Sequence, residues 1–185
     1  MRILRRDDYR KMPWKNGKGV TEEVASFPEG AALDEFGWRL SIAHVAEDGP
    51  FSVFPGIDRT ITLLSGNGMT LDLPDESVKL QISGEPFSFS GDLVISSRNH
   101  GGATVDFNVM TRCGVFAHCV SRRPAGLTTA ASLTFLVVLH GGLAVEGREV
   151  SQWDVIRLEK GEAVMVEGEG EVLKIEITPA ERSSV

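Results

Sequence analysis

The feature that most constrains this chain is the regular interruption of its apolar segments by glycine and proline. The 185 residues include 20 glycines and 8 prolines, and short segments rich in Val, Ile, Leu, Phe and Thr lie between them. Residues 38–45 alternate strictly, with Trp, Leu, Ile and His on one face and Arg, Ser, Ala and Val on the other. This period of two predicts a β-strand. Many short strands at intervals of roughly 8–12 residues are typical of a β-sandwich or β-barrel.

The same reading extends along most of the chain. Residues 123–131 contain the one segment with a helical pattern longer than a turn. Elsewhere the sequence predicts short strands separated by turns. The predicted strands in the first 115 residues are 21–27, 38–45, 51–54, 59–64, 69–73, 78–82, 87–89, 93–95 and 105–111.

A weak internal sequence repeat suggests that the same succession of strands occurs twice. Residues 60–66 form an apolar strand ending in glycine, and residues 134–142 repeat that pattern. Asp92 and Asp154 each open a later strand in the corresponding place. This succession is typical of a cupin half-barrel, a small jelly roll. The chain is therefore predicted to be all-β, a bicupin with two jelly-roll barrels in tandem, divided into residues 1–115 and 116–185.

Composition limits the classes of partner and compartment. The net charge of −7 argues against nucleic acid or an anionic membrane as the main partner. No apolar run approaches the roughly 20 residues that span a bilayer, and the N-terminus lacks the apolar stretch of a signal peptide. Cys113 and Cys119 are too few for a disulfide framework, so we expect buried free thiols in a reducing compartment. The sequence predicts a cytoplasmic protein.

Residues 13–21 (Pro-Trp-Lys-Asn-Gly-Lys-Gly-Val-Thr) contain the densest group of polar and aromatic side chains. The Asn16-Gly17 pair predicts a turn, because both residues tolerate positive φ. Lys15, Asn16 and Thr21 would then present donors to an anionic or carbonyl group. The alternative is an ordinary surface loop whose Trp14 only closes one end of a barrel, and the loop residues alone do not decide between the two.

A second group of polar residues lies on strand faces. Asp106, Asn108, Met110 and Arg112 share one face of a predicted strand. If that face lines a barrel, Asp106 must be paired, and Arg112 or Arg39 is the expected partner. A purely structural ion pair is an equal alternative for Asp106.

Arginine residues on these strands suit a carboxylate, because the guanidinium fork can bind both of its oxygens. The predicted site is a pocket for a small carboxylate with Trp14 as its apolar wall, and Arg59 lies either in this pocket or at its rim after a Pro-Gly turn. The proposed ligand-binding residues are Trp14, Lys15, Asn16, Thr21, Arg39, Ser41, Arg59, Asp106, Asn108 and Arg112.

Several of these segments together resemble the HutD/Ves family of small bacterial bicupins. The resemblance is carried by residues 13–17 with Thr21, by residues 38–43, 48–52 and 54–59, by residues 63–64 with Gly66 and Gly68, and by residues 89–92 and 106–112. They are collinear and cover residues 13–112, whereas the second half is similar mainly in its strand pattern. Lys18 replaces a glycine that is usual in the family, and Cys113 stands where a second arginine often follows Arg112.

The resemblance implies a tandem cupin fold and an association with histidine utilisation, in a regulatory or ligand-sensing role without established catalytic activity. It also implies the ligand class: urocanate, a formylated glutamate such as N-formylglutamate, or formate. On this hypothesis the protein reports or buffers that metabolite.

Other chemistries have little support in the sequence. The four histidines, at positions 44, 100, 118 and 140, are far apart, so we predict no metal ion and no cofactor. His100 alone falls where the late cupin histidine is usual. Residues 17–21 lack the spacing of a P-loop, and no Gly-x-Ser-x-Gly segment is present.

Two other classes of function stay open. One is a metal-independent enzyme acting on the same intermediates, with Asp106 or His100 as its acid–base group. The other is an interaction protein that uses the outer sheet, and a homodimer through exposed strands is also plausible. The second barrel is predicted to be structural and filled, because its inward positions are aliphatic. These positions are Leu136, Val138, Val155, Val164 and Val166.

Overall fold

The computed structural model describes residues 1–180. Across that range the chain forms nineteen β-strands, and its single helical element is the 3₁₀ turn Arg6–Asp8. None of the helical structure in residues 1–180 is long and apolar enough to cross a bilayer. The strands are β1 (Arg2–Leu4), β2 (Arg10–Pro13), β3 (Gly19–Phe27), β4 (Trp38–Val45), β5 (Gly49–Pro50), β6 (Ile57–Ser65), β7 (Met69–Asp72), β8 (Ser77–Leu80), β9 (Phe87–Ser90), β10 (Ser96–Asn99), β11 (Thr104–Arg112), β12 (Phe116–Pro124), β13 (Leu127–Thr129), β14 (Leu133–Gly141), β15 (Leu143–Val145), β16 (Arg148–Val150), β17 (Val155–Leu158), β18 (Ala163–Glu167) and β19 (Gly170–Pro179).

The chain divides into two compact units. The N-terminal unit contains Arg10–Ala117 together with Ala180. It has a six-stranded sheet in the order β2-β3-β4-β11-β6-β9 and a four-stranded sheet in the order β5-β10-β7-β8. Apolar side chains from both sheets form its core, which consists of Ala43, Val45, Ile61, Leu63, Met69, Leu71, Leu80, Phe89 and Ile95.

The C-terminal unit contains Met1–Tyr9 and His118–Pro179. Its sheets have the orders β1-β17-β14-β19-β12 and β13-β18-β15-β16. The core between them is aliphatic and includes Leu136, Val138, Val164 and Val166, as the sequence predicts. Val155 is buried but lies outside this cluster, because the alternation of β17 directs its neighbour Ile156 into the core instead.

The two units repeat one pattern of eight strands. In the first repeat, β6 pairs with β11 and β9 while β10 pairs with β5 and β7. In the second, β14 pairs with β19 and β17 while β18 pairs with β13 and β15. Strands β4–β11 thus correspond one by one to β12–β19, which supports the internal repeat in the sequence. Each repeat is a jelly roll of two separate sheets rather than one closed barrel.

The first nine residues fall outside the predicted division of the chain. They were expected to belong with the N-terminal domain, but β1 extends the open edge of β17, with Ile3 opposite Ile156. The Arg5 Nη1 atom donates to Asp154 Oδ2 at 2.7 Å, and the Tyr9 hydroxyl donates to the carbonyl of Trp153 at 2.9 Å. The change of unit falls after Ala117, and residues 181–185 lie outside the described range.

Three local predictions are wrong. Residues 51–54 and 93–95 are not strands. They lie side by side as loops, joined by isolated backbone hydrogen bonds such as Phe51 N to Ile95 O at 2.8 Å. Residues 123–131 form no helix, because β12 runs to Pro124 and β13 follows it. Pairing with distant strands overrides a local helical pattern of that length.

The cysteines are also placed differently from the prediction. Cys113 and Cys119 are both free, but both are exposed rather than buried. Cys113 follows the last residue of β11 in a turn. Cys119 lies on β12, the edge strand of its sheet, with its side chain on the exposed face.

Candidate functional site

A cavity of about 510 Å³ lies within the N-terminal unit. Its volume is in the usual range for pockets that bind small molecules. The walls come from the loop after β2, from one face of β4, from the loop between β5 and β6, and from the middle of β11. The lining residues are Met12, Pro13, Trp14, Lys15, Asn16, Lys18, Thr21, Leu33, Arg39, Ser41, Ala43, Val45, Glu47, Gly49, Pro50, Phe51, Ser52, Phe54, Arg59, Ser97, Asp106, Asn108 and Met110.

The Trp14 loop is a tight turn that fixes one wall. The amide of Gly17, at φ +73°, donates to the Trp14 carbonyl at 3.0 Å. The Trp14 indole Nε1 donates to Thr21 Oγ1 at 2.8 Å. A Cβ at position 19 would lie 2.9 Å from the indole ring, so glycine there allows the ring to lie against the backbone. Trp14 is therefore held as a rigid apolar wall, and the Thr21 hydroxyl is engaged with it.

Arg39 is buried on β4 and paired with an acid. Its side chain is 3% exposed, and its Nε donates to Glu23 Oε2 at 2.7 Å. Glu23 also receives Arg10 Nη2 on its other oxygen at 3.0 Å. Arg39 Nη1 makes a long hydrogen bond of 3.5 Å to Ser41 Oγ, and Arg39 Nη2 has no partner in the described chain.

Arg59 lies inside the cavity, not at the rim, and is 5% exposed. Its Nη1 donates to the carbonyl of Ser52 at 3.1 Å, and its Nη2 donates to Asn108 Oδ1 at 2.9 Å. The guanidinium is 5.4, 5.2 and 5.0 Å from the ring centroids of Phe51, Phe54 and Phe89. Desolvation lowers the Arg59 pKa to about 10, so the side chain is cationic at neutral pH.

Asp106 on β11 is fully buried. Its Oδ1 accepts a short hydrogen bond from Asn108 Nδ2, and its Oδ2 has no partner within residues 1–180. Burial raises the Asp106 pKa to about 7, although the charge of Arg59 and the bond from Asn108 favour the ionised form. A carboxyl group of this kind is divided between its two protonation states near neutral pH.

Three buried polar atoms of the cavity therefore lack hydrogen-bond partners among the described residues. They are the donors Arg39 Nη2 and Arg59 Nε and the oxygen Asp106 Oδ2. Buried polar groups are nearly always hydrogen-bonded in folded proteins. Unpaired groups of this kind, gathered around one cavity, are the arrangement expected of a site that completes its hydrogen bonds with a ligand.

The rim of the cavity carries further charge. Lys18 Nζ pairs with Glu47 Oε2 at 3.1 Å, and Asn16 Oδ1 accepts from the Lys18 amide at 3.0 Å. Asn16 therefore stabilises the turn with its side-chain oxygen. Lys15 is exposed and lines the same opening.

Nine of the ten residues proposed from the sequence line this one cavity, and Arg112 does not. Its guanidinium donates to the carbonyls of Phe36 at 3.0 Å and Asp34 at 2.8 Å. The expected pairing of Asp106 with Arg112 or Arg39 is also wrong within the described residues, because these two arginines are engaged with backbone carbonyls and with Glu23.

The sequence reasoning missed three important members of the site. Glu23 is the acid that pairs with Arg39. This pairing was not predictable from the local sequence pattern, because 16 residues separate the two side chains. Phe51 and Phe54 supply aromatic walls beside Arg59. Both residues lie in segments that carry the family resemblance, and this resemblance was the signal that could have placed them in the site.

The acidic residues that line the cavity are Glu47 and Asp106. No histidine lines it, and residues 1–180 contain no group of three or more His, Cys, Asp or Glu suited to a metal ion. His100 lies outside the cavity, with Nε2 at 2.8 Å from Thr70 Oγ1. The buried cationic residues Arg39 and Arg59 would repel a metal cation.

The sequence has clear relatives. The family model described as HutD matches residues 6–183. An uncharacterised 21.2 kDa protein in the hutC 3′ region of Pseudomonas putida is 37% identical over 188 residues, covering 96% of this chain and 97% of that protein. Protein Ves of Escherichia fergusonii is 37% identical over 151 residues, covering 80% of this chain and 78% of that protein.

Solved structures agree with these matches. The structure of HutD from Pseudomonas fluorescens SBW25 superposes with a TM-score of 0.84 at 32% identity and covers 97% of this chain and 99% of that one. A bacterial pirin from Escherichia coli shares the fold alone, with a TM-score of 0.64 at 10% identity over 97% of this chain and 99% of that one. The fold is thus all-β and of the cupin type, and by sequence and structure the chain belongs to the HutD family.

Proposed function

We propose that this protein binds a small carboxylate in the cavity of its N-terminal unit and acts as a metabolite-sensing accessory protein of histidine utilisation. The observation that carries the proposal is the pair of buried guanidinium groups, Arg39 and Arg59, each with an unused N–H donor at one cavity. An anion that accepts both hydrogen bonds gains charge-assisted contacts in a desolvated site.

The two buried guanidinium groups of the cavity repel each other. Desolvation lowers the Arg59 pKa most, the charge of Asp106 opposes that lowering, and the charge of Arg39 adds to it. Arg59 forms no ion pair within residues 1–180, since its hydrogen bonds go to an amide oxygen and a backbone carbonyl. A carboxylate between the two guanidinium groups would relieve this repulsion.

Cavity size narrows the ligand class. Formate has three heavy atoms and would fill a small part of about 510 Å³. The apolar walls formed by Trp14, Phe51, Phe54 and Leu33 suit a carboxylate with a larger body, such as urocanate or N-formylglutamate.

Isothermal titration calorimetry against formate, urocanate, N-formylglutamate and glutamate tests the proposal. We expect one of the first three to bind the wild-type protein, and Arg59→Ala to raise its Kd at least tenfold. Arg59→Lys keeps the charge but loses the fork, and we expect an intermediate Kd.

Arg98→Ala is the matched control, because Arg98 is exposed and its bidentate pair with Asp72 lies outside the cavity. It should bind as wild type does. The proposal fails if none of the carboxylates binds, or if Arg59→Ala and Arg98→Ala bind equally well while both remain folded by circular dichroism.

A second candidate function is a metal-independent enzyme with Asp106 as its acid–base group. The observation in its favour is the pKa of about 7 for this fully buried carboxyl, which suits proton transfer at neutral pH. His100 does not share this role in the structure, because it does not line the cavity. Turnover of a bound carboxylate that Asp106→Asn abolishes, with binding retained, would establish the enzyme. Unchanged ligand after long incubation, followed by NMR, would favour the binding protein.

A further inference from the structure

We propose that the cavity takes up a monocarboxylate together with one proton, which Asp106 then holds as a neutral carboxylic acid that donates from Oδ2 to the ligand. This inference rests on the carboxylate-binding function proposed above. It adds the charge class of the ligand and a specific role for Asp106, which lines the same cavity as Arg39 and Arg59.

The hydrogen bonds around Asp106 leave one oxygen for the ligand. Oδ1 is occupied by Asn108 Nδ2, whose amide oxygen in turn accepts from Arg59 Nη2. Asn108 is thereby fixed with its oxygen toward the cation and its nitrogen toward the carboxyl group. Oδ2 has no donor within the described chain. The simplest way to satisfy Oδ2 is to protonate it, so that its O–H group donates a hydrogen bond to an acceptor on the ligand.

The charges in the buried part of the site lead to the same conclusion. Arg39 and Arg59 are two buried cations, while Glu23 and an ionised Asp106 are two buried anions, so the empty site is close to neutral. A bound monocarboxylate would leave one uncompensated buried negative charge, which is costly in a desolvated site. One proton on Asp106 restores the balance.

The neighbouring strands provide no better way to hold that charge. On β6, Arg59 lies opposite Met110 and is linked to Asp106 through Asn108. On β4, Arg39 shares Glu23 of β3 with the exposed Arg10 of β2. At the opening, Lys18 is paired with Glu47, and Lys15 is exposed to water, which screens its charge.

The Asp106 carboxyl group is close to half-protonated at neutral pH, so ligand binding can change its protonation state. Burial already raises the Asp106 pKa to about 7 in the empty cavity. A ligand anion close to Oδ2 disfavours the charged form further, because like charges repel. Asp106 is therefore ionised in much of the free protein at pH 8 and neutral in the complex, so that binding consumes a proton.

The test measures how many protons the protein takes up when it binds a monocarboxylate. The ligand is whichever of formate, N-formylglycine and urocanate binds most tightly, and the imidazole titration of urocanate is measured separately. Calorimetry at pH 8 in two buffers of different ionisation enthalpy gives the number of protons exchanged. We expect an uptake close to one proton per ligand. We also expect Kd to rise by up to tenfold per pH unit above pH 7 and to be nearly constant below pH 6.

Two variants separate Asp106 from other sources of pH dependence. Asp106→Asn keeps a neutral donor at the same place, so it should bind at pH 8 at least as tightly as wild type, with no proton uptake and a flat pH profile. Glu47→Gln removes a negative charge from the rim of the same cavity, and it should retain the uptake and the slope.

The outcomes distinguish this inference from the function on which it rests. If none of the three monocarboxylates binds at any pH from 5.5 to 8.5, at concentrations up to roughly tens of millimolar, this inference is overturned. The carboxylate-binding function fails with it only if N-formylglutamate and glutamate do not bind either. If one binds without proton uptake, or with proton release, the binding function stands and this inference is overturned. A pH slope that persists in Asp106→Asn would overturn it as well.

Discussion

Arg59 Nη2 donates to Asn108 Oδ1 at 2.9 Å, and 49 residues separate the two in sequence. Since the Asn108 nitrogen donates to Asp106 Oδ1, one amide joins a buried cation to a buried carboxyl group that are not in direct contact. Arg59 Nε and Asp106 Oδ2 are left without a hydrogen-bond partner among residues 1–180, and both side chains line the cavity. A direct ion pair between the two would instead use the groups that a ligand needs.

Asn108→Leu should destabilise the protein, because Leu has about the same size but cannot satisfy either neighbour. We expect the free energy of unfolding to fall by about 2–4 kcal/mol, since Arg59 and Asp106 would each lose a hydrogen bond while buried. Urea denaturation measures this change. Ser88→Ala serves as the control, because its hydroxyl bonds Thr60 at 2.7 Å on the exposed side of an edge strand. An Asn108→Leu protein as stable as this control would contradict the bridging role.

Without ligand, the Asp106→Asn protein should be more stable than the wild-type protein at alkaline pH. The Asp106 pKa is raised from 3.8 to about 7, so the folded state retains a proton that the unfolded state releases between those values. The stability that this proton contributes is complete below pH 3.8 and lost as pH rises through 7.

Asparagine does not ionise, so the variant avoids that loss. Its advantage over wild type should reach at most about 4 kcal/mol above pH 7 and should be smaller at pH 5. Urea denaturation of both proteins at pH 5 and pH 8 measures the difference. An equal difference at the two pH values would show that the Asp106 pKa is not raised.

Gly91→Ala should destabilise the turn after β9, for a steric reason. A Cβ at this position would lie 2.5 Å from the Phe54 carbonyl oxygen and 2.7 Å from the Ile57 carbonyl oxygen. These atoms belong to the backbone that leads into Arg59, so they cannot move freely. We expect a loss of about 1–3 kcal/mol, measured by thermal unfolding. Gly49→Ala meets nothing within 4 Å, and we expect a change within about 0.5 kcal/mol.

Arg112→Ala should leave carboxylate affinity nearly unchanged. The side chain lies outside the cavity and holds the segment at residues 34–36 through two backbone carbonyls. We therefore expect lower stability and faster amide hydrogen exchange in residues 34–36, with a Kd within about twofold of wild type. A loss of binding comparable to that of Arg59→Ala would restore Arg112 to the ligand site.

The sequence predicted those features that depend on local pattern. Strict alternation over residues 38–45 defined β4 at both ends, because a period of two places successive side chains on opposite faces. The same alternation placed Asp106 and Asn108 together, and both line the cavity. The similarity between residues 60–66 and 134–142 anticipated the repeat, since both segments lie in interior strands of corresponding sheets.

Features that depend on pairing between distant segments were decided by the tertiary structure. No short segment of the sequence determines which sheet edge β1 extends. The same is true of the acid that pairs with Arg39 and of the arginine that lines the cavity. Arg112 and Asp106 lie on the same strand with the same alternation, yet only Asp106 lines the cavity. Arg112 is the last residue of β11, and nearby carbonyls at residues 34 and 36 take up its donors. Local sequence sets the face of a strand on which a side chain lies, whereas folding determines which distant groups are near enough to satisfy its charge.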